Sequence, residues 1–256
     1  MCTVTYIPEG ENKFILTSSR DENINRGPSQ RPQVRSVEGA NVLYPKDVQG
    51  GGSWIASSDQ GRSVCLINGA LTNNSKDLTF KKSRGLVLLD SFGYETFEAF
   101  VRDYSLDGIA PFTMIVIETV PKLTLIEFLW NGRRKYLNYK DSSKPYIWSS
   151  VTLYNEETRK SRKKWFTDWL RSNLCCNAKS IFYLHRFGGK GDQENNYYMV
   201  REDGMRTVSI TQLEHLDEEI EMRHRNFITD QLSLSAVKFN NNAKKENRNI
   251  NNIGLA

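Results

Sequence analysis

Nowhere in its 256 residues does the chain hold an apolar run long enough to cross a bilayer, and a quarter of its residues are charged. A spanning helix needs about 20 consecutive apolar residues, so an integral membrane segment of that kind is excluded and a soluble protein is expected. The start lacks the basic and apolar regions of a secretory leader, because Pro8-Glu9-Gly10-Glu11 interrupts it at once. Cysteine is scarce. Cys2, Cys65, Cys175 and Cys176 show neither metal-ligand spacing nor a disulfide framework. The adjacent Cys175 and Cys176 read as half-buried residues at a helix end, and a reducing cytoplasm is the expected compartment.

Histidine is scarcer still. His185, His215 and His224 have no metal spacing to one another or to a cysteine, so no metal site and no cofactor are expected. Each reads as polar surface or a satisfied core residue, with an axial haem ligand as the competing reading. The glycines at 50–52 are not followed by Gly-Lys-Ser/Thr, which excludes a phosphate loop; they are expected to let the backbone pass close to a reactive group. No helix-turn-helix or ribonucleoprotein motif is present, and 30 acidic residues nearly balance 35 basic ones. The clusters Arg133-Arg134-Lys135 and Arg159, Lys160, Arg162, Lys163, Lys164 therefore read as solvated faces, and no nucleic-acid partner is expected. The second cluster also suits an anionic ligand such as an acyl-coenzyme A or a lipid headgroup.

What the chain does have is a cysteine at its second position, opening a β-like segment. Aminopeptidases trim Met1 when a small side chain follows, and removal would leave Cys2 carrying both a thiol and a free α-amine. The amine, with an ordinary pKa of about 8, can take the proton that the thiol, at about 8.5, gives up. A turn at Pro8–Asn12 and the apolar run Phe14-Ile15-Leu16 follow, then Ser18-Ser19-Arg20-Asp21-Glu22-Asn23. Two runs joined by a glycine-containing turn predict a hairpin. Pairing would place Arg20 and Asp21 at the end of its second strand, near the start of its first. There an arginine lowers a thiol pKa, and an aspartate holds an ammonium. A solvated charged turn is the alternative.

Period-two patterning predicts strands at 3–7, 13–18, 53–57, 63–68, 113–119, 123–130, 146–149, 197–200 and 207–214. Helices are expected at 83–91, 94–103 and 156–173. The last carries an apolar stripe of Trp165, Phe166, Trp169 and Leu170, and Glu156-Glu157 at the positive end of its dipole. Strand clusters with helices grouped between them argue for an α+β layered fold. One domain is expected over 1–237, followed by an Asn/Lys-rich tail, 238–256, too polar to offset the entropy of ordering.

Several segments, in order along the chain, resemble the NRDE family, named for an Asn-Arg-Asp-Glu motif, whose eukaryotic branch is the transport and Golgi organization proteins. Met1-Cys2-Thr3, Ser19-Arg20-Asp21-Glu22, Gly50-Gly51-Gly52-Ser53-Trp54, the strand ending in Asn68, Ser83-Arg84-Gly85 and Gly204-Met205-Arg206-Thr207 carry the likeness. The first motif departs at Ser19, where the family has asparagine.

The resemblance implies a four-layer αββα sandwich of the N-terminal-nucleophile hydrolase type. It also implies a cysteine amidohydrolase acting on a small-molecule substrate, through a non-peptide amide or a thioester. Cys2, Arg20, Asp21 and Asn68 would be its catalytic set. Arg206, Ser150 and Trp54 would contact substrate. Ser149-Ser150 replaces a family Ser-Asn pair, so the expected oxyanion donor at 150 is shorter than an amide. The competing expectation is a pocket for a hydrophobic ligand, an acyl chain, acyl-coenzyme A or haem, without turnover.

Overall fold

The computed structural model describes residues 3–71, 80–173 and 176–240. Its framework is two antiparallel sheets laid face to face. The first contains β1 (Thr3–Pro8), β2 (Phe14–Asn23), β10 (Tyr146–Ser149), β11 (Met205–His215), β12 (Glu219–Asn226) and β13 (Gln231–Lys238), ordered β10-β1-β2-β11-β12-β13. The second contains β3 (Gln33–Val37), β4 (Ala40–Tyr44), β5 (Ile55–Ser58), β6 (Arg62–Asn68), β7 (Phe112–Glu118), β8 (Thr124–Trp130) and β9 (Lys135–Lys140), paired in chain order. Helices α1 (Arg84–Asp90) and α2 (Phe97–Asp103) cover the second sheet, and α3 (Glu156–Ser172) and α4 (Ala178–Phe187) cover the first. The chain is thus an α+β protein built as a four-layer αββα sandwich.

The pleat explains the layering. Successive side chains on a strand point to opposite faces, and β2 is apolar on both. Phe14 and Leu16 join Val4, Tyr6, Leu213 and Met222 against Ile55, Cys65, Ile115 and Leu125 of the other sheet. Ile15 turns outward and packs with Phe166, Ile181, Leu184 and Tyr197 of the covering layer. Each such fully buried side chain contributes about 1.5–3 kcal/mol.

Several expected elements change. β2 does not stop at Ser18; it runs to Asn23, because its far half pairs with β11 after β1 has ended. The segment 197–200 is not a strand and makes one isolated bridge, Val200 to Arg206. Strands β3, β4, β9, β12 and β13 and helix α4 were not expected. In β12 the buried alternate residues are Ile220, Met222, His224 and Asn226, so polar side chains at core positions hide the period. The end of α4 that signals it is a capping box, in which Asn177 accepts from Ser180 N and Ser180 Oγ accepts from Asn177 N.

The expected tail begins too early. Lys238 closes β13, Phe239 is buried, and Asn240 N donates to Asp59 O at 2.9 Å. The rest of that tail lies outside the described residues. Among the described residues no helix is long and apolar enough to cross a membrane.

Candidate active site

Strand register brings the candidate residues together. Thr3 lies opposite Ser19 on one side and Ser149 on the other. Arg20 and Asp21 directly follow Ser19, and Ser150 directly follows Ser149. Arg20 and Asp21 are therefore inside a strand, not in a charged turn, and are 3% and 1% exposed. Cys2, expected as the nucleophile, lies outside the described residues, as does Cys175. Cys65 is fully buried, and burial pushes its thiol up to about 12 despite a hydrogen bond with Ser18. A thiol so held is not a nucleophile near neutral pH.

Asp21 faces the helical layer. It accepts hydrogen bonds from Thr207 Oγ1 at 2.5 Å and from Tyr154 Oη at 2.8 Å. A bulge in β11 sets this up: Thr207 pairs with Asp21 and Ser209 with Arg20, leaving Val208 as the extra residue. Without it Thr207 and Ser209 would share one face. With it, each meets its own neighbour on β2.

Behind Tyr154 lies Arg162, which the sequence placed on a solvated face. It is fully buried. Its guanidinium stacks 3.7 Å from the Tyr154 ring centre, donates to the carbonyls of Asn195 at 3.1 Å and Asn196 at 2.5 Å, and donates to Thr3 Oγ1. It makes no ion pair among the described residues; backbone oxygens and an aromatic face solvate the charge instead.

Arg20 faces the other sheet. Its Nη2 donates to Asp47 Oδ2 at 2.9 Å, and its guanidinium sits 4.8 Å from the Trp54 ring centre. Arg26 Nε reaches the same Oδ2 at 2.9 Å, while Asp47 Oδ1 accepts from the backbone of Gln49 and Gly50. Burial disfavours the Asp47 charge, but Gly50 N–H and the two arginines outweigh it and hold the carboxyl below its ordinary value. Trp54 is thus the buried platform beneath Arg20 and is not among the residues lining the adjoining cavity.

That cavity has a volume of about 90 Å³ and is lined by Arg20, Glu22, Arg26, Asp47, Asn68 and Arg84, with Gly52 and Gly85 among its walls. The two glycines are required by contact with each other. A Cβ on Gly52 would lie 2.2 Å from the Gly85 carbonyl carbon, and Ser53 N donates to Gly85 O at 3.2 Å. Within the described residues, what the 50–52 segment approaches closely is the start of α1.

Asn68 ends β6 at this cavity, and its side-chain amide makes no hydrogen bond among the described residues. Its carbonyl accepts from Ser150 Oγ at 2.9 Å. A hydroxyl has one proton to give, and the distance to Asn68 O places that proton there. In this arrangement the Ser150 hydroxyl is directed to the Asn68 carbonyl. Arg206 is also displaced from the cavity: it lies opposite Glu22 across β11 and β2, with Nη2 3.5 Å from Tyr198 Oη.

The histidines do not suit axial ligation. His185 is held at both ring nitrogens, by Thr5 and Ser19 hydroxyls at 2.8 Å each. His224 is held by Thr211 at 2.8 Å and Ser29 at 3.2 Å. His215 packs between the rings of Phe14 and Phe239. Burial, assisted by Arg162, pushes His185 down to about 3; burial and Arg20 push His224 down to about 4. All three are core residues.

Solved structures of similar fold include an ortholog of N-acylethanolamine-hydrolyzing acid amidase from Caenorhabditis elegans. Its TM-score is 0.56 at 13% identity, over 83% of this chain and 92% of that one. A single-residue variant of conjugated bile acid hydrolase from Clostridium perfringens gives 0.55 at 10% identity, over 93% and 97%. Penicillin V acylase from Agrobacterium tumefaciens gives 0.52 at 11% identity, over 91% and 85%. At such identities the likeness is one of fold. A search of curated proteins by sequence finds no match. A family model, however, matches residues 1–245, and by that match the chain belongs to the family described as transport and Golgi organisation 2.

Proposed function

We propose that the protein is an N-terminal-nucleophile amidohydrolase, cleaving a non-peptide amide or a thioester of a small molecule with Cys2 as nucleophile. The observation that carries the reading is the register of Thr3 between Ser19 and Ser149. It puts Arg20, Asp21, Ser150 and the Ser150-tethered Asn68 around the start of β1, one peptide bond from Cys2. The solved structures of like fold are named for hydrolysing an N-acylethanolamine, a conjugated bile acid and penicillin V. A small-molecule amide is the chemistry they share.

The mechanism requires that Met1 be removed. The freed α-amine of Cys2 takes the thiol proton, and Asp21, held by two hydroxyls, orients the resulting ammonium. Cys2 Sγ attacks the carbonyl carbon, and the Asn68 amide donates to the oxygen as it becomes negative. The ammonium returns its proton to the leaving nitrogen or sulfur, so the bond breaks and an acyl-enzyme thioester remains. A water molecule, deprotonated by the same amine, releases the acid and restores the thiol. Arg20 is already paired with Asp47. Its part is to hold the strand end rigid through Asp47 and Trp54.

Mass spectrometry of the untagged protein after limiting iodoacetamide tests the premise. The expected result is loss of Met1 and alkylation of Cys2 ahead of Cys65 and Cys176. Retained Met1, or a Cys2 as inert as Cys65, would sink the reading.

One observation favours a second reading, ligand binding without turnover. With the Ser150 hydroxyl directed to Asn68 O, the oxyanion hole has one side-chain donor where two are expected. A cavity of about 270 Å³ beside Ser149, with Ile67, Leu129 and Trp148 on its walls and Glu127, Arg159 and Lys163 among them, would then hold a ligand with an apolar part and an anionic end. Alkylated Cys2 with unaltered affinity for such a ligand is the outcome that selects it.

A further inference from the structure

The cavity beside Asn68 contains a charge excess. Asp47 is saturated, with Oδ2 shared by Arg20 and Arg26 and Oδ1 on two backbone N–H groups. Glu22 accepts from Asn23 N at 3.1 Å and faces Arg26 at 3.7 Å. Arg84 makes no ion pair among the described residues. Its Nη1 donates to the carbonyl of Pro111 at 3.1 Å, its other guanidinium donors have no hydrogen-bond partner among the described residues, and Arg84 is one of the residues lining the cavity. Among the described residues that line the cavity, three guanidiniums thus meet two carboxylates.

The arginine is also fixed in place. Residue 85 is pressed against residue 52 so closely that neither tolerates a side chain, and Ser53 N holds Gly85 O. Arg84 is therefore anchored on its C-terminal side by backbone and at its tip by Pro111, which limits the entropy it loses on gripping a ligand. Arg84 is half-buried, and a cation partly withdrawn from water without an anion is costly. Consistently, burial, with Arg26 adding to it, lowers the Arg84 pKa against the opposing pull of Glu22.

We infer that Arg84 is an anion-binding, specificity-determining residue, and that the substrate carries a small oxyanionic group, a carboxylate or a phosphate, a few bonds from the scissile carbonyl. The distance follows from size. At about 90 Å³ the cavity has room for a few water molecules or one compact polar group, and Asn68 is on its wall. A planar guanidinium with free N–H pairs matches both oxyanions bidentately. The assignment rests on the hydrolase reading for the word substrate, but not for the binding itself.

The test is binding on the full-length protein, without turnover. Succinate and inorganic phosphate are titrated into wild type, Arg84→Gln, Arg84→Lys and Cys2→Ala, by calorimetry or chemical-shift change. Arg84→Gln is expected to weaken the bound anion by about tenfold or more, from the loss of a charge-assisted pair. Arg84→Lys should retain part of the affinity, and Cys2→Ala all of it. Binding of succinate alone points to a carboxylate; binding of phosphate, alone or with succinate, admits a phosphate.

Phenylglyoxal modification of wild type, mapped by mass spectrometry, needs no variant to fold. The anion should protect Arg84 while the exposed Arg102 still reacts. Absence of binding, equal binding by Arg84→Gln, or protection that spares Arg84 would each overturn the inference. Anion binding with an inert Cys2 would instead overturn the hydrolase reading and leave this one standing.

Discussion

Arg20 and Asp21 are neighbours in sequence, yet they serve two unlike compartments. Asp21 looks toward the helices, where two hydroxyls hold it and where a buried arginine is solvated by carbonyls and an aromatic ring. Arg20 looks between the sheets, where charge is answered by charge: Asp47, Arg26 and Glu22, with Trp54 as a flat support. The first compartment orients groups through fixed hydrogen bonds. The second carries the electrostatic field and the opening. Separating them keeps the aspartate from being neutralised by the arginine beside it.

The largest break in this comparison comes from the wall of the second compartment. Gly52→Ala forces a methyl carbon onto the Gly85 backbone and is expected to cost about 3 kcal/mol, read as a lower urea midpoint. Asp21 is remote from that contact, so an Asp21→Asn variant should keep the anion affinity of the cavity while slowing alkylation of Cys2.

Acid divides the compartments next. His185, on the Asp21 side, is lowered from 6.5 to about 3 by burial and Arg162. Between those values the unfolded chain binds a proton that the folded one does not. Stability from this group is thus complete above 6.5 and declines as pH falls, by about 1.4 kcal/mol per unit. His224 on the other side acts with the same sign, down to about 4. Asp47 behaves differently: its carboxyl is held below 3.8, so its contribution is present above that value and lost only in stronger acid. A melting temperature that falls between pH 6.5 and 5 in wild type, and falls less in His185→Gln, is the expected record.

Asp47→Asn sharpens the contrast at smaller cost, about 2 kcal/mol, since it removes the charge shared by Arg20 and Arg26. Equilibrium unfolding at pH 7 measures it, and the deficit should shrink below pH 3.8, where wild type loses the same charge. Smallest is Ser150→Ala. Freeing the Asn68 carbonyl should cost about 1 kcal/mol in urea unfolding.

Much of the frame was legible in the sequence because apolar alternation is explicit there: β1, β6, β7, β8 and β10 lie within a residue of expectation. The Cys2, Arg20, Asp21 and Asn68 set came from resemblance; register sets Arg20 and Asp21 beside the start of β1, and Ser150 ties Asn68 of the other sheet to the same end. What was hidden is what burial does to polar residues. Arg162 sits amid Arg159, Lys160, Lys163 and Lys164, and nothing in that run distinguishes the inward residue. Its spacing to Phe166 and Trp169, at four and seven, was the available signal. β12 was hidden likewise, since His224 and Asn226 occupy core positions. β13 misled in reverse, exposing Leu232 and Leu234.

The extra residue at Val208 has a consequence for how such a chain can vary. Two strands read against each other behave as a tally of odd and even places, and here one strand skips a count midway. Substitutions can accumulate along β2 and β11 while the tally holds. Loss of the skipped residue would leave a regular ladder, but a one-residue insertion or deletion elsewhere in the paired stretch would set Arg206 or Val208, not Thr207, opposite the aspartate. For this pair of strands, inheritance must guard length more strictly than letters.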